Sequence, residues 1–550
     1  MSNDVLIVGA GPTGLLLAAG LARYGIKPRL IDRNPQPSQT SKAIGVFART
    51  LELFEDLGVA EEAIAQGIPI RAFNVHIGNK QIELDLQQGK SFLPTLVVLP
   101  QSQTEAILEQ LVEQSGITIE RSVELTDLEQ DNQGVIATLT HADGHQEQCY
   151  SQWLIGCDGA GSTVRKAARI SDEGKTIPSL AVLADVEAEI PLANDEFHAF
   201  VSGEGIVGII PLSQQNCWRL IADLPPEKTI ADEPDLSLFE EMARTRANLQ
   251  IALKKSIWTS SFRFRQRMVS ECRKGRIFVA GDALSSHSPV GGQGMNTGLQ
   301  DAYNLAWKLA LVIRNQASAE LLDSYQAERL PISKTLLMET EFLTRGILQR
   351  NPVVGQIRGA IATVIARVSP IQQQIINTLS ELNINYRNSP IVQNDPAFLF
   401  SLHTQQPSLK NWLAFRNGPK AGERTPDIKL HTPEGKKRLF QVLSNSLKHT
   451  LLLFAGTTLD LEHLHQIVEK FSNAFPDKLL LYVVLPTTSI PETLSNCVSV
   501  LLDPEQEGHH CYGATGACWY LIRPDGYIGC RSQSMDCDRL KIYFQILRFH

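Results

Sequence analysis

Apolar residues follow two rhythms along this chain. Val5–Val8 is a short β-branched run, and "LLLAAGLARYG" after it repeats at helical spacing, so strand then helix is the reading there. A second short strand, "KPRLID", follows. The same alternation recurs where "SQWLIGC" precedes a helical stretch near Arg165, and where "RIFVA" leads to the helix "GMNTGLQDAYNLAWKLA". Between them, about 173 to 269, the rhythm changes to strict alternation in "LAVLADVEAEI", "IVGIIPL" and "CWRLIADL". That period predicts an antiparallel sheet with one face packed or lining a cavity. Residues 322–395 read as helices, among them the amphipathic "VVGQIRGAIATVIARV". For it, packing on the N-terminal domain and a homodimer interface are both open. From about 400 onward, "HTLLLFAG" and "KLLLYVVLP" read as buried strands of a small α/β domain.

The first strand and helix enclose Gly9-x-Gly11-x-x-Gly14, and the second strand ends in Asp32, eighteen positions after Gly14. Strand, glycines, helix and acid together form a dinucleotide fingerprint. The glycines allow the tight turn and the approach of N–H groups to a pyrophosphate, and the acid bonds a ribose hydroxyl. The fingerprint alone leaves NAD(P) and FAD open. A second glycine concentration, five within Gly281–Gln300, gives up backbone stability beside the single acid Asp282. Something must approach that backbone closely.

Composition narrows the class. The 550 residues are 43% hydrophobic with a net charge of −8, which gives no electrostatic footprint for nucleic acid or anionic membrane. Nine scattered cysteines fit a reducing compartment, so a cytoplasmic location is expected. Glycines and a proline interrupt the N-terminal apolar run, against a leader or spanning helix. His509, His510, Cys511 and Cys518 lack the paired spacing of a structural zinc site, so no metal is expected.

Taken together, the Gly9 fingerprint, Arg49 in "ARTLELFEDLG", Gln101 in "LPQSQTEAIL", the Asp158-Gly159 pair, "GRIFVAGDA" with "PVGGQGMNTGLQDAYNLAWKL", and "LLDSYQAERLPIS" resemble the FAD-dependent aromatic hydroxylases, single-component flavoprotein monooxygenases. "LIRPDGYIGCRS" looks like the C-terminal domain of their phenol hydroxylase branch. The resemblance implies an α/β protein. A Rossmann-type FAD-binding domain (1–172 and 270–395) would carry an inserted antiparallel substrate sheet (173–269 with part of 75–98), followed by a thioredoxin-like domain (400–550). That last domain has no C-x-x-C, so its expected role is structural.

The resemblance also implies a reaction. NAD(P)H reduces FAD, dioxygen adds to the flavin to give a C4a-hydroperoxide, and an aromatic small molecule, phenolic or polyketide-like, is hydroxylated. Baeyer–Villiger, epoxidation or decarboxylation outcomes, and a scaffold without turnover, stay open. Arg33, Arg49, Gln101, Asp158, Gly159, Arg165, Asp282, Gly291, Gly292, Gly294, Met295 and Asn296 are carried over as cofactor contacts, with Arg49 also a nicotinamide candidate. His287 is a candidate for proton handling. Pro289, which fixes backbone direction where oxygen adds, is counted with both the cofactor and the catalytic groups. Phe200, Gly208, Ile210 and Pro211 are candidate pocket residues. This chain departs from the family at Asp32, where Glu is commoner, at Gly161 for the usual Arg, and at Leu284-Ser285 for Ala-His.

Overall fold

A computed structural model describes residues 3–39, 43–78, 80–225, 233–287, 291–348, 369–393, 408–444, 446–457, 461–476, 478–495 and 497–547. Pro289 and the helical reading at 353–368 lie outside the described residues. Two compact units emerge. One comprises Met1–Phe54, Val59–Ala302 and Arg329–Leu382, the other Glu55–Gly58, Tyr303–Glu328 and Asn383–His550.

The first unit is built on a parallel sheet in which Asn3–Val8 lies between Arg29–Asp32 and Gln146–Gly156, with Ile277–Val279 beyond the latter. The Val5, Leu6 and Ile7 side chains are fully buried, as are Leu15, Leu16 and Leu17 of the helix Pro12–Arg23. Parallel strands covered on both faces require such continuous apolar runs. The carboxyl ends of these strands carry Gly9, Cys157 and Ala280, so three loops emerge along one edge, where open α/β sheets bind ligands.

The second sheet has eight strands in the order Ser285–Ser286, Leu253–Val269, Asp172–Ala188, Cys217–Leu224, Gly205–Pro211, Glu196–Ser202, Ala72–Ile77 and Lys80–Asp85. Most of its pairings are antiparallel. Alternation sorts its residues between two faces. Val182, Ala184, Val186, Phe200, Val207, Ile209, Leu220 and Ala222 pack with Phe239 and Met242 of the helix Leu236–Ala247. On the opposite face Ile210, Phe73, Phe197 and Ile221 cluster with Phe47, Leu96 and Val98 of a three-stranded sheet.

The second unit holds a seven-stranded sheet whose centre is three parallel strands, His449–Phe454, Leu479–Leu485 and Ser499–Leu502, flanked by antiparallel ones. A buried ionic network lies within this unit. Glu328 accepts from Lys308 Nζ at 2.6 Å and from Arg523 Nη1 at 2.6 Å, while the Arg523 Nε donates to Asp525 at 3.0 Å. Trp307 Nε1 donates to the same aspartate at 3.1 Å. Two cations hold the Glu328 carboxyl well below the usual carboxylate range despite its burial. Lys308 is pushed down to about 8 by desolvation.

Removing one member leaves the others buried without full compensation. Glu328→Gln is expected to cost about 3–5 kcal/mol of stability, read by chemical denaturation. A loss below 1 kcal/mol would mean that the cations find other partners.

Candidate functional site

The three glycines of the fingerprint have different physical reasons. A Cβ on Gly9, where φ is +104°, would come 2.5 Å from the Cys157 carbonyl oxygen, and one on Gly14 would come 1.9 Å from the Gly9 oxygen. The protein's own packing requires both. A Cβ on Gly11 meets nothing within 4 Å, so nothing inside the chain demands a glycine there. Close approach of a bound group would. Asp32, at the end of its strand, accepts from the Ala10 N–H at 2.7 Å and the Asn34 N–H at 2.8 Å. Each carboxylate oxygen keeps a second lone pair for a ribose hydroxyl. Arg33 is exposed beside it.

Asp158 caps the short helix Thr163–Ala167, accepting from Thr163 N–H at 2.7 Å and Val164 N–H at 3.1 Å. Its side chain is thus committed to local structure. Gly159, at φ +79°, and Gly161 both face open space. Arg165 reaches from that helix to the Ala160 carbonyl at 2.8 Å and the Ala283 carbonyl at 3.0 Å, which ties the Asp158-Gly159 loop to the turn carrying Asp282.

That turn, Gly281–Ala283, is fastened from the other side as well. The Gly281 N–H donates to Asp301 Oδ2 at 3.0 Å, and Arg329 Nε holds Asp301 Oδ1 at 2.6 Å. Thr13 fills the space between turn and helix: a Cβ on Gly281 would lie 2.5 Å from its Oγ1, and one on Gly298 2.6 Å. Asp282 itself is exposed between two buried neighbours. Surrounding protein and the Asp301 charge nevertheless push its carboxyl up to about 6. A side chain reached by solvent yet enclosed by protein lines a cleft.

Downstream, the Ser285 hydroxyl and His287 Nε2 lie 2.7 Å apart, and burial lowers the imidazole to about 4, so it is neutral at physiological pH. Gly291 and Gly292 have φ of +98° and +68°, and a Cβ on Gly294 meets nothing within 4 Å. Gly294 opens the helix Gly294–Ile313, whose first turn carries N–H groups without partners inside the helix. Met295 is half-buried. The Asn296 side chain clasps the strand Gly45–Phe47, accepting from Phe47 N–H at 3.0 Å and donating to the Gly45 carbonyl at 2.8 Å. Any contact of Asn296 with a cofactor therefore falls to its backbone.

Other predicted residues are placed less directly. Arg49 is buried beside Glu52 at 3.0 Å, with its N–H donating to Ser380. Gln101 Nε2 donates to Glu105 at 2.8 Å. Gly208 and Ile210 lie on the face shared with Phe47, which approaches Gly292. Pro211 follows Ile210 and is buried. Phe200 lies on the other face, stacked on His76 with ring centroids 4.2 Å apart. Period-two alternation places it on the face opposite to Gly208 and Ile210. Phe73, Phe197 and Ile221 are half-buried on the Ile210 face. In the second unit, His509 Nδ1 bonds Asp503 Oδ2 at 2.7 Å, while Cys518 is buried in a strand. Among the described residues no helix is long and apolar enough to cross a membrane.

This edge of a parallel sheet, with open glycines at 11 and 294 and an acid at each of two loops, defines a dinucleotide-type cofactor fold. The FAD binding domain family matches residues 2–340. The chain is 34% identical to 6-methylpretetramide 4-monooxygenase of Streptomyces rimosus, covering 99% of this chain and 93% of that one. Pentachlorophenol 4-monooxygenase of Sphingobium chlorophenolicum is 30% identical, with 96% and 93% covered. OxyS anhydrotetracycline hydroxylase from Streptomyces rimosus superposes with a TM-score of 0.76 at 27% identity, covering 99% of both chains. The chain belongs to the FAD-dependent aromatic hydroxylases and is a flavoprotein monooxygenase.

The glycine geometry separates two substitutions of the same size. Gly14→Ala should abolish folding of the first unit, because 1.9 Å from a backbone oxygen cannot be relieved by a rotamer. Gly11→Ala should fold with normal cofactor-free stability and bind FAD at least about tenfold more weakly, measured by flavin fluorescence titration. Equal FAD affinity would show that no group approaches Gly11.

Asp282 gives a pH dependence. Its carboxyl is raised from 3.8 to about 6, so between those values the folded state holds a proton that the unfolded chain has released. Cofactor-free stability should therefore fall as pH rises through this window and level off above it. Asp282→Asn should remove that slope, making the variant the more stable of the two at pH 8 in thermal melts. A slope unchanged in the variant would assign it to other groups.

Proposed function

We propose that the chain hydroxylates an oxygenated aromatic small molecule, phenolic or polyketide-like, with NAD(P)H as electron donor and dioxygen as oxygen source. The observation that carries this reading is that Phe47 joins the glycine loop, at Gly292, to the apolar face of Phe73, Phe197, Ile210 and Ile221. FAD bound there supplies hydride acceptance from the nicotinamide and activation of dioxygen.

The residues divide the remaining work. Gly11 and the first turn of the helix Pro12–Arg23 would hold the pyrophosphate, Asp32 the adenosine ribose and Asp282 the ribityl chain. N–H groups at Gly292–Met295 would meet the ring edge where negative charge collects on reduction, and the helix dipole favours that charge. The aromatic face excludes water and stacks a planar substrate. His287, neutral and oriented by Ser285, would hold a proton beside the ring. Baeyer–Villiger, epoxidation and decarboxylation use the same arrangement and have no observation favouring them.

The separation of the parallel, mainly antiparallel and seven-stranded sheets supports a division into a FAD domain, an inserted substrate sheet and a C-terminal domain. The parallel centre and antiparallel flank of the seven-stranded sheet support a thioredoxin-like reading with a structural role. The limits proposed are 1–172 with 270–395 for the FAD domain, 173–269 with part of 75–98 for the substrate sheet, and 400–550 for the C-terminal domain. A cytoplasmic location accords with the composition.

NAD(P)H consumption by the FAD-loaded protein, with and without a panel of phenols and polyketide-like arenes, tests the proposal, with products identified by mass spectrometry. Arene-stimulated consumption and a product heavier by one oxygen are expected. The two faces of the sheet give a sharper test. Phe200→Ala should cost about 3–5 kcal/mol of stability and leave the KM for the arene unchanged in the folded fraction, whereas Phe197→Ala should raise that KM and increase hydrogen peroxide release. A KM moved by Phe200→Ala alone would place the pocket on the other face.

A further inference from the structure

Gln266 is an anomaly in the sheet. It lies in the strand Leu253–Val269 at 1% exposure, and neither its Oε1 nor its Nε2 has a hydrogen-bond partner among the described residues. A buried side-chain amide lacking both of its bonds is a liability in a folded core. Apolar residues of similar volume, Met or Leu, would remove it at no cost in packing. The position is stabilising only when something supplies the missing donor and acceptor.

Its location identifies where that something lies. Leu253–Val269 pairs with Ser285–Ser286 so that Met268 stands opposite Ser285 and Arg267 opposite Ser286. One step further, past the end of the paired segment, the same antiparallel register would bring Gln266 opposite His287. Ser285 and His287 are two apart and joined through their side chains at 2.7 Å, so both share the face of Gln266 and Met268. The other ring nitrogen of His287, Nδ1, is likewise buried and has no partner among the described residues. Three orphaned polar atoms thus belong to two side chains, one on the strand Leu253–Val269 and one on the segment that pairs with it just after Asp282.

We infer that Gln266, with His287 beside it, is a specificity-determining residue that binds vicinal oxygens on the aromatic substrate, at least one of them a hydroxyl. The inference rests on the function proposed above and deepens it to a substrate class. A hydroxyl donates to Oε1 and its neighbouring oxygen accepts from Nε2, which satisfies the amide in both senses, and the imidazole Nδ1 takes or gives the remaining bond. The amide ends a side chain with three torsions, so it swings to a ligand without movement of the strand. A carbonyl or hydroxyl alone leaves half of the amide unpaired, and discrimination against such ligands follows from the same cost.

The test uses the FAD-loaded full chain and ligand binding read from perturbation of the flavin absorbance. The probes are a naphthalenediol with vicinal hydroxyls and the matching mono-naphthol. The wild type should bind the diol at least about tenfold more tightly, and Gln266→Met should bring the ratio within about twofold with FAD content unchanged. The cofactor-free variant should melt at the same temperature as the wild type or higher, because an unsatisfied amide has been replaced by a side chain of similar shape. Loss of stability or failure to fold in the variant would show the amide to be structural and overturn the inference. A raised KM for NAD(P)H with the diol preference intact would overturn it too, assigning the amide to the nicotinamide carboxamide. A wild type whose flavin responds to arenes without preferring the diol overturns this inference alone, and one that responds to no arene overturns the proposed function with it.

Discussion

The site depends on a buried carboxylate, Asp301, that serves two masters. One oxygen takes the Gly281 N–H and the other takes Arg329, so a backbone turn, a helix and a guanidinium are fixed to one another in a buried region. Charge-assisted bonds of this kind are strong and directional. Their geometry determines where Asp282 points and where the helix Gly294–Ile313 begins. Arg165 performs the complementary task on the next carbonyl but one, Ala283, and extends the frame to the Asp158 loop. Asp301 and Arg329 are themselves buried, and they act on the exposed Asp282 only through the turn that carries it.

Close packing of backbone supplements this frame. Thr13 lies where side chains on Gly281 and Gly298 would stand, and Gly14 lies on the Gly9 carbonyl. Four glycines therefore serve the contact of three loops with two helices. A different set, Gly11, Gly161 and Gly294, meets no protein atoms within 4 Å. The first set makes the edge of the sheet dense and the second leaves it open to a flat, extended, anionic molecule.

This division explains what was legible in the sequence. Strand, helix and glycine spacing fixed the parallel sheet and its fingerprint because local periodicity and backbone chemistry decide both. The alternation over 173–269 revealed a sheet but not which face turned inward, since Phe200 and Ile210 are equally apolar and both buried. Which of them faces the site depends on the helix Leu236–Ala247 covering one side, a tertiary fact. Asp158 and Asn296 were read as ligand contacts by motif, while their side chains complete the backbone bonds of a helix start and a strand. Asp301 and Arg329, within "LQDAYNL" and "AERLP", carried no signal beyond the motif itself. Their role exists only through a contact 28 residues apart in sequence.

The departures at Leu284 and Ser285 acquire a reason from the same geometry. Leu284 is buried, and its carbonyl accepts from Val269 N–H at 3.0 Å, joining the two strands that bring Ser285 opposite Met268. Ser285 then bonds His287 across a gap of two residues, so the chain keeps one imidazole near the cleft and restrains it with a hydroxyl. A ring held at one nitrogen is confined in rotation and keeps the other nitrogen for a partner. Where the family commonly has histidine at 285, this chain thus has a hydroxyl, with an imidazole two residues further on, nearer the glycines at 291 and 292.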